Sequence, residues 1–540
     1  MIAVATSATG HYRRHRSRER LRQLVLPGVA LAVATLAAGI LLAVLDTTRS
    51  EKYRSPLALL SPDPVAASTS IVLAGTAEGV AIALVIVVVV LGVQLTADRY
   101  SPRIIDIFVR DPLNSTVLGL FLFSIIFSVW VSVQIKPDYV PALGYAVAIG
   151  LAVIDFVVLL PYVRHMFHVM RAETLIMSIR RRGTRSLAKA ARANPGRGPR
   201  YAFRESLEQI TDIALGSIQE GDTEVCLGAI EELRELLVND YLPVKQTLPK
   251  HWFHVRTEDM PGASEQAVKL VEETRTWVEY SVLSDLLDLI GETPAFRKEV
   301  IHAISRATRN IGVVGIRNHD SDLEEMVIRF FNTYLRAAMN QKAPTFAYSI
   351  MNEYRRLALD CIEDRPELTQ HVAEHLLRYG RSFEAAGMPF IIGTAVEDVA
   401  TLTREQTARD EGRALALAQL LAHTLREMAA RAHPLAVNGV VTALIKLSLW
   451  AIHHGHEDIA DELLRAIGSI PGETTATVLQ RMERARQGVF YEVSDRVVAF
   501  DWVEEELRAR IPGLRDRLAA HRATVEEAVS QVMGEPATPR

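Results

Sequence analysis

Glu78 and Asp155 are the ionisable residues that lie well inside uninterrupted apolar runs. A carboxylate in hydrocarbon must be neutral, hydrated or paired, so each is a functional candidate by default. Ser124, Ser128 and Ser132 recur at every fourth residue of another apolar run, and Gly75, Gly79 and Ala83 do the same beside Glu78. Such stripes let helices approach closely and hydrogen-bond, so packing is their first use and a polar pathway lining their second. Counting along the runs puts Glu78 in the outer half of the membrane and Asp155 in the inner half, too far apart in depth to pair. Gln94 is then the nearest polar side chain to Asp155, with Arg99 and Arg103 able to approach by snorkelling.

Two histidine groups suggest metal chemistry. His371, Glu374 and His375 match H-x-x-E-H, the inverted zinc-protease signature, with both histidines on one helical face. The same helix has Val372, Leu376 and Leu377 as its apolar side, so a solvated polar face accounts for the match. His453, His454, His456 and Glu457 surround Gly455, where a helix turn would place polar caps anyway. There is no phosphate-binding P-loop, no G-x-G-x-x-G after a strand and no G-x-S-x-G elbow. Cys226 and Cys361 are the only cysteines, which leaves no disulfide framework or cysteine-rich metal site. The expectation is a protein that is not an enzyme and has no cofactor or metal centre.

The elements that position the carboxylates are membrane spans. At 540 residues with a mean hydropathy of +0.12, the chain is too long for one domain and too mixed for a wholly embedded protein. A basic cytoplasmic N-terminus at 1–23 holds six arginines. The transmembrane domain at 24–163 has spans at 24–45, 70–95, 113–135 and 140–162. The first is too long for the apolar core of a signal peptide. Lys136, Pro137, Asp138 and Tyr139 join the last two in a tight hairpin. In the elbow of Ser101, Pro102 and Arg103, Ser101 caps and Pro102 starts a short interfacial helix, and Arg103 is placed to reach lipid phosphate or the acidic domain below. Lys/Arg number 19 on the flanks at 1–23, 96–112 and 164–200, against 4 in the two opposite loops. By the positive-inside rule both termini are cytoplasmic, in a multi-pass protein of the cell inner membrane.

A basic juxtamembrane linker follows at 164–200, and Arg180, Arg181, Arg182 and Arg185 form its strongest cluster. They serve as a stop signal and as a site for anionic lipid headgroups. NPGRGP at 194–199 is the chosen domain boundary. The cytoplasmic domain at 201–532 is helix-forming, with similar turns at Gly221 and Gly455 and copies around 319–321 and 365–366 at no fixed period, which suggests an irregular stack of helical pairs. Within it, 242–261 is a long connection whose His251, Trp252, Phe253 and His254 pin it to the helices, and 489–500 suits a short strand or hairpin. The tail at 533–540 is expected to be disordered. Residues 1–200 carry 23 Lys/Arg and 11 Asp/Glu, and 201–540 carry 37 and 53, so the soluble part is acidic and a poor nucleic-acid surface.

The run LGVQLTADRYSPRIIDIFVRD followed by LGLFLFSIIFSVW resembles the bacterial predicted-membrane-protein family known as domain of unknown function 2254. The resemblance rests on Gln94, Leu95, Tyr100, Ser101, Pro102, Arg103, Arg110, Asp111 and 118–120. It continues more weakly through 203–229, where Asp212, Ile213 and Ala214 fit and 219–224 depart from the family's turn. It covers about 20–235 and implies an integral membrane protein with a cytoplasmic C-terminal part, without an assigned activity. Taken together, the expected fold is all-α: a four-helix transmembrane bundle followed by an irregular helical-repeat-like cytoplasmic domain. The expected role is to bind a protein partner or sense a signal. The alternative is an oligomeric ion channel or transporter, a homo-oligomer lined by the second and third spans.

Overall fold

The computed structural model describes residues 63–100, 105, 112–192, 198–260, 263–486, 493, 496 and 499–533, with side chains omitted for 112 and 524–533. The basic N-terminus at 1–23, the first expected span at 24–45, the first loop as far as 62, the Ser101, Pro102 and Arg103 elbow and the tail after 533 lie outside these residues. So does most of the stretch read as a strand. Among the described residues the chain is all-α, with nineteen α-helices and no strand. Contacts divide it into two units, Met1–Ser178 and Ile179–Arg540.

In the first unit, α1 (Pro64–Arg99), α2 (Pro112–Gln134) and α3 (Ala142–Val169) pack against one another. Each is apolar around most of its circumference, as a span must be. The buried positions form single seams with steps of three, four or seven residues: Val117, Phe121, Ser124, Ser128 and Val131 on α2, and Ala148, Ala152, Asp155, Tyr162 and Met166 on α3. Lys136 and Tyr139 close the hairpin between α2 and α3 with hydrogen bonds of 2.9 and 3.0 Å. Two helices outrun their expected limits. α1 begins at Pro64, a first-turn proline, and α3 continues to Val169 past Pro161. This changes the depth of the carboxylates.

The contact boundary falls inside α4 (Ala172–Ala190), within the stretch read as a linker. Of NPGRGP, Asn194 to Arg197 lie outside the described residues, while Gly198 and Pro199 open α5 (Gly198–Glu220). The second unit continues with α6 (Thr223–Glu235), α7 (Glu265–Glu273), α8 (Trp277–Glu292), α9 (Lys298–Arg317), α10 (Ser321–Asn340) and α11 (Pro344–Asp360). After these come α12 (Leu368–Ala385), α13 (Ile391–Thr407), α14 (Glu411–Met428), α15 (Pro434–His454), α16 (Glu457–Gly468), α17 (Gly472–Arg484), α18 (Glu505–Arg508) and α19 (Ile511–Met533). Consecutive helices pair, and the pairs stack in two layers. One layer runs α5, α8, α10, α12, α14, α16, and the other runs α6, α9, α11, α13, α15, α17. This is a helical solenoid.

One turn recurs through the stack. Gly221, Arg275, His319, Lys342, Gly387 and Gly455 all have φ between +52° and +85°. In each case the next N–H returns to the carbonyl five residues before it: Asp222 to Ser217 (2.8 Å), Thr276 to Val271 (2.9 Å), Asp320 to Gly315 (2.9 Å), Ala343 to Ala338 (3.0 Å), Met388 to Phe383 (2.9 Å) and His456 to Ala451 (2.9 Å). That is the Schellman closure of a helix C-terminus. Asp222 and Asp320 then cap the following helix.

α15 is apolar and long enough to cross a membrane, yet 67% of its apolar stretch is buried, against 17%, 28% and 17% for α1, α2 and α3. Its neighbours supply the apolar surroundings that lipid would supply to a span, so it is a core helix of the solenoid. Gly439 on it meets Gly393 on α13 almost backbone to backbone: a Cβ at 439 would sit 3.3 Å from the Gly393 Cα.

Candidate functional site

The membrane unit brings its two carboxylates into one layer. Glu78, Ser124 and Asp155 each sit near the middle of α1, α2 and α3, and all three are fully buried. Ser124 Oγ donates to Glu78 Oε1 at 3.0 Å. The same hydroxyl neighbours Asp155, and the two carboxyls lie within each other's electrostatic reach. The expectation that they are separated in depth is therefore wrong, because it took span limits from the apolar runs and the helices extend beyond them. Ser128 is also buried, at 2% exposure, one turn from Ser124. Gly75 packs beside it: a Cβ there would lie 3.8 Å from the Ser128 Cβ, an ordinary contact. Ser132 is only half-buried. Gln94 is exposed and takes no part, as is Ala83, and a Cβ at Gly79 would meet nothing within 4 Å.

Apolar clusters flank this layer along the bundle. Ile71, Val131 and Ala148 lie toward the hairpin, and Val85, Val117, Phe121, Tyr162 and Met166 lie toward the other end. Tyr162 closes the second cluster by a hydrogen bond from its hydroxyl to Asn114 Oδ1.

Of the four arginines assigned to lipid headgroups, two are engaged inside the protein. Arg180 is held by Asp240 at 2.8 Å, Glu232 at 3.0 Å and Glu235 at 3.1 Å. Burial would lower its pKa, but Asp240 and Glu232 outweigh that and raise it. Arg182 donates to Gln209 Oε1 at 2.6 Å. The sequence could not show that three carboxylates of the next helical pair converge on this face of α4. Arg181 and Arg185 are exposed.

The histidine groups are tied to packing. His375 Nδ1 hydrogen-bonds the Tyr354 hydroxyl at 2.7 Å, and burial lowers its pKa. Glu374 accepts from Gln370, and His371 is exposed. His456 Nδ1 pairs with Glu411 at 3.0 Å, and His454 Nδ1 meets the Trp450 carbonyl at 2.9 Å. Among the described residues no group of three or more His, Cys, Asp or Glu could hold a metal ion. Burial pushes the Cys226 thiol up to about 12 and the Cys361 thiol up to about 11, so neither supplies a thiolate at neutral pH. In the 242–261 connection, Trp252 is buried against Phe203 and Trp277, and its carbonyl accepts from Trp277 Nε1 at 3.1 Å.

One feature of the solenoid was not anticipated from sequence. A polar cleft of about 660 Å³ opens on the second layer, between α13, α15 and the segment leading into α18. At its base Arg496 and Asp398, each 1% exposed, form a two-armed ion pair of 2.7 and 2.9 Å. Arg496 also donates to the Tyr348 carbonyl at 2.8 Å, and Lys446 pairs with Glu397 at 2.5 Å. Arg404, Trp450 and Trp502, each half-buried, also line it. Nothing in the local sequence marks this cleft, because its parts lie about 50 and 100 residues apart along the chain.

These observations meet the comparison with known families in the first unit. Residues 21–226 match the family described as "Predicted membrane protein (DUF2254)". With its apolar helices, the chain is a membrane protein. The match to DUF2254 takes in α1 to α5 and the Glu78, Ser124 and Asp155 layer, and ends in α6. No curated protein matches the chain. Among solved structures, one described as "Circular tandem repeat protein with novel repeat topology and enhanced subunit contact surfaces" is similar at 14% identity. The alignment covers 87% of this chain and 99% of that one, with a TM-score of 0.31.

Asp285 carries a pH prediction. It sits on α8 beside α5, hydrogen-bonded by Thr211 at 2.8 Å. Burial first, then Asp288, Glu208 and Asp212, raise its pKa from 3.8 to about 7. Below pH 3.8 folded and unfolded chains are both protonated and nothing is lost. As pH rises from there to 7 the unfolded chain ionises first, so stability falls. Above pH 7 the loss levels off, at an upper bound of about 4 kcal/mol. Asp285→Asn keeps an acceptor for Thr211. Its stabilising effect in thermal melts should be small at pH 4 and largest at pH 8; an equal effect at both would contradict this reading.

Proposed function

We propose that the chain is a multi-pass protein of the bacterial inner membrane, with both termini cytoplasmic, whose solenoid binds a protein partner or a signal molecule on its second layer. The orientation is supported by the Lys/Arg imbalance of 19 to 4. The single observation that carries the binding role is the cleft of about 660 Å³, where Arg404, Trp450 and Trp502 offer charge and aromatic surface above a buried ionic base. Solenoids characteristically present such extended surfaces. Arg181 and Arg185 remain the residues for anionic headgroups. The reading is non-enzymatic, supported by the buried thiols and by the engagement of His375 with Tyr354.

A photo-crosslinking residue at Arg404 in the full chain, produced in bacterial cells, tests this. A discrete adduct from position 404, and none from Lys269 on α7, is the expected result. Equal crosslinking at both positions, or none at 404, would remove the cleft as a binding surface.

A second reading is favoured by one observation. Glu78, Ser124 and Ser128 lie where an ion path lined by the second and third spans would need polar groups, with Asp155 beside them, which favours an oligomeric ion channel or transporter as the alternative.

A further inference from the structure

Among the described residues, the polar layer of the membrane unit has four oxygen-bearing side chains and no cation to match them. Glu78 comes from α1, Ser124 and Ser128 from α2 and Asp155 from α3, all buried to 2% exposure or less. The Ser124 hydrogen bond to Glu78 Oε1 uses the one proton that hydroxyl has. Among the described residues, Glu78 Oε2, both Asp155 oxygens and the Ser128 hydroxyl are buried without a hydrogen-bond partner. A layer that served helix packing alone would pair these groups, since an unsatisfied polar atom in an apolar interior costs about 1–3 kcal/mol and a charged one more. The spans cannot supply the missing charge. No Lys, Arg or His occurs at 24–45, 64–95, 113–134 or 142–163.

We propose that this layer binds one hard cation through the carboxylates of Glu78 and Asp155 and the hydroxyls of Ser124 and Ser128. Carboxylate and hydroxyl oxygens are the ligands that Na⁺, Mg²⁺ and Ca²⁺ take, in contrast to the nitrogen and sulfur sets of softer metals. Two carboxylates balance a divalent ion outright, or a monovalent ion together with one retained proton. The Ile71, Val131, Ala148 cluster and the Val85, Val117, Phe121 cluster keep water from either side, so the attraction acts in a low dielectric. The site needs only the membrane unit, so it stands whether or not the solenoid cleft binds anything.

The test uses the full chain in nanodiscs of phosphatidylcholine at pH 8, with NaCl, MgCl2 or CaCl2 against choline chloride at equal ionic strength, read as the shift in Tm. One of the three salts should raise Tm in a concentration-dependent way, as binding to the folded state alone requires. Ser128→Ala should weaken the shift, and Glu78→Gln should abolish it while raising the Tm in choline, because it removes a buried anion that lacks a partner. If no salt exceeds choline, the layer holds protons only and the proposal fails. If Glu78→Gln keeps the full shift, the ion binds elsewhere, on headgroups or the acidic solenoid, and the proposal fails too.

Discussion

Arg496→Met should destabilise the solenoid by about 3–5 kcal/mol, the cost of leaving a buried charge without its partner. Asp398 is 1% exposed and would keep only Arg355, whose Nε lies 3.4 Å away. The Tyr348 carbonyl would lose a donor as well. Because Arg496 joins the C-terminal segment to α13, the loss should fall first on that segment. Trypsin should cut between α17 and α18 before the rest of the chain, and Tm should drop. Asp398→Asn in the same background should restore much of the stability, since it removes the stranded charge. An unchanged Tm and digestion pattern for Arg496→Met would mean that the pair does not hold the segment.

Lys245→Met should have an effect of the same size by the same logic at the other end of the stack. Lys245 lies in the turn Leu242–Thr247 and reaches Glu279 on α8 at 2.7 Å and Asp320 at 3.0 Å. Glu279 is fully buried. Burial, only partly offset by Lys245, leaves the Glu279 carboxyl above its ordinary pKa. For Lys245 burial pulls the other way, and the Glu279 charge outweighs it and holds the ammonium above its usual value. Without Lys245 the cost should again be about 3–5 kcal/mol at pH 8. It should shrink as pH falls and Glu279 takes up a proton, because a neutral carboxyl needs no counter-charge. A double mutant with Glu279→Gln should be close to the wild type in chemical denaturation. Additive losses in that cycle would contradict the pair.

How much of this was legible in the sequence depended on range. The all-α class, the apolar helices and the hairpin at Lys136 to Tyr139 could be read because each is set by composition and spacing within about 25 residues. The pairing of helices was legible at Gly221 and Gly455, where glycine marks the left-handed turn. It was read around 319–321 as well, and missed at Arg275 and Lys342, which like His319 make the same turn without glycine, accepting a cost of about 1–2 kcal/mol that the closing hydrogen bonds and packing offset. The intramembrane carboxylates were legible as residues but not as a pair, since their depth depends on where α1 and α3 end, and Pro64 and Val169 lie beyond the apolar runs. Arg180 was misread for a further reason: a basic run next to a span attracts a lipid reading, and its partners Glu232, Glu235 and Asp240 lie more than 50 residues away. The cleft over Asp398 was invisible for the same cause.

The proposed orientation puts the solenoid on the cytoplasmic side of the membrane, and reporter fusions measure that side directly. Alkaline phosphatase fused after Asp138, in the hairpin between α2 and α3, should be active, and green fluorescent protein fused after Arg540 should fluoresce in intact cells. An inactive hairpin fusion together with active phosphatase at Arg540 would place the solenoid outside the cytoplasm and contradict the account.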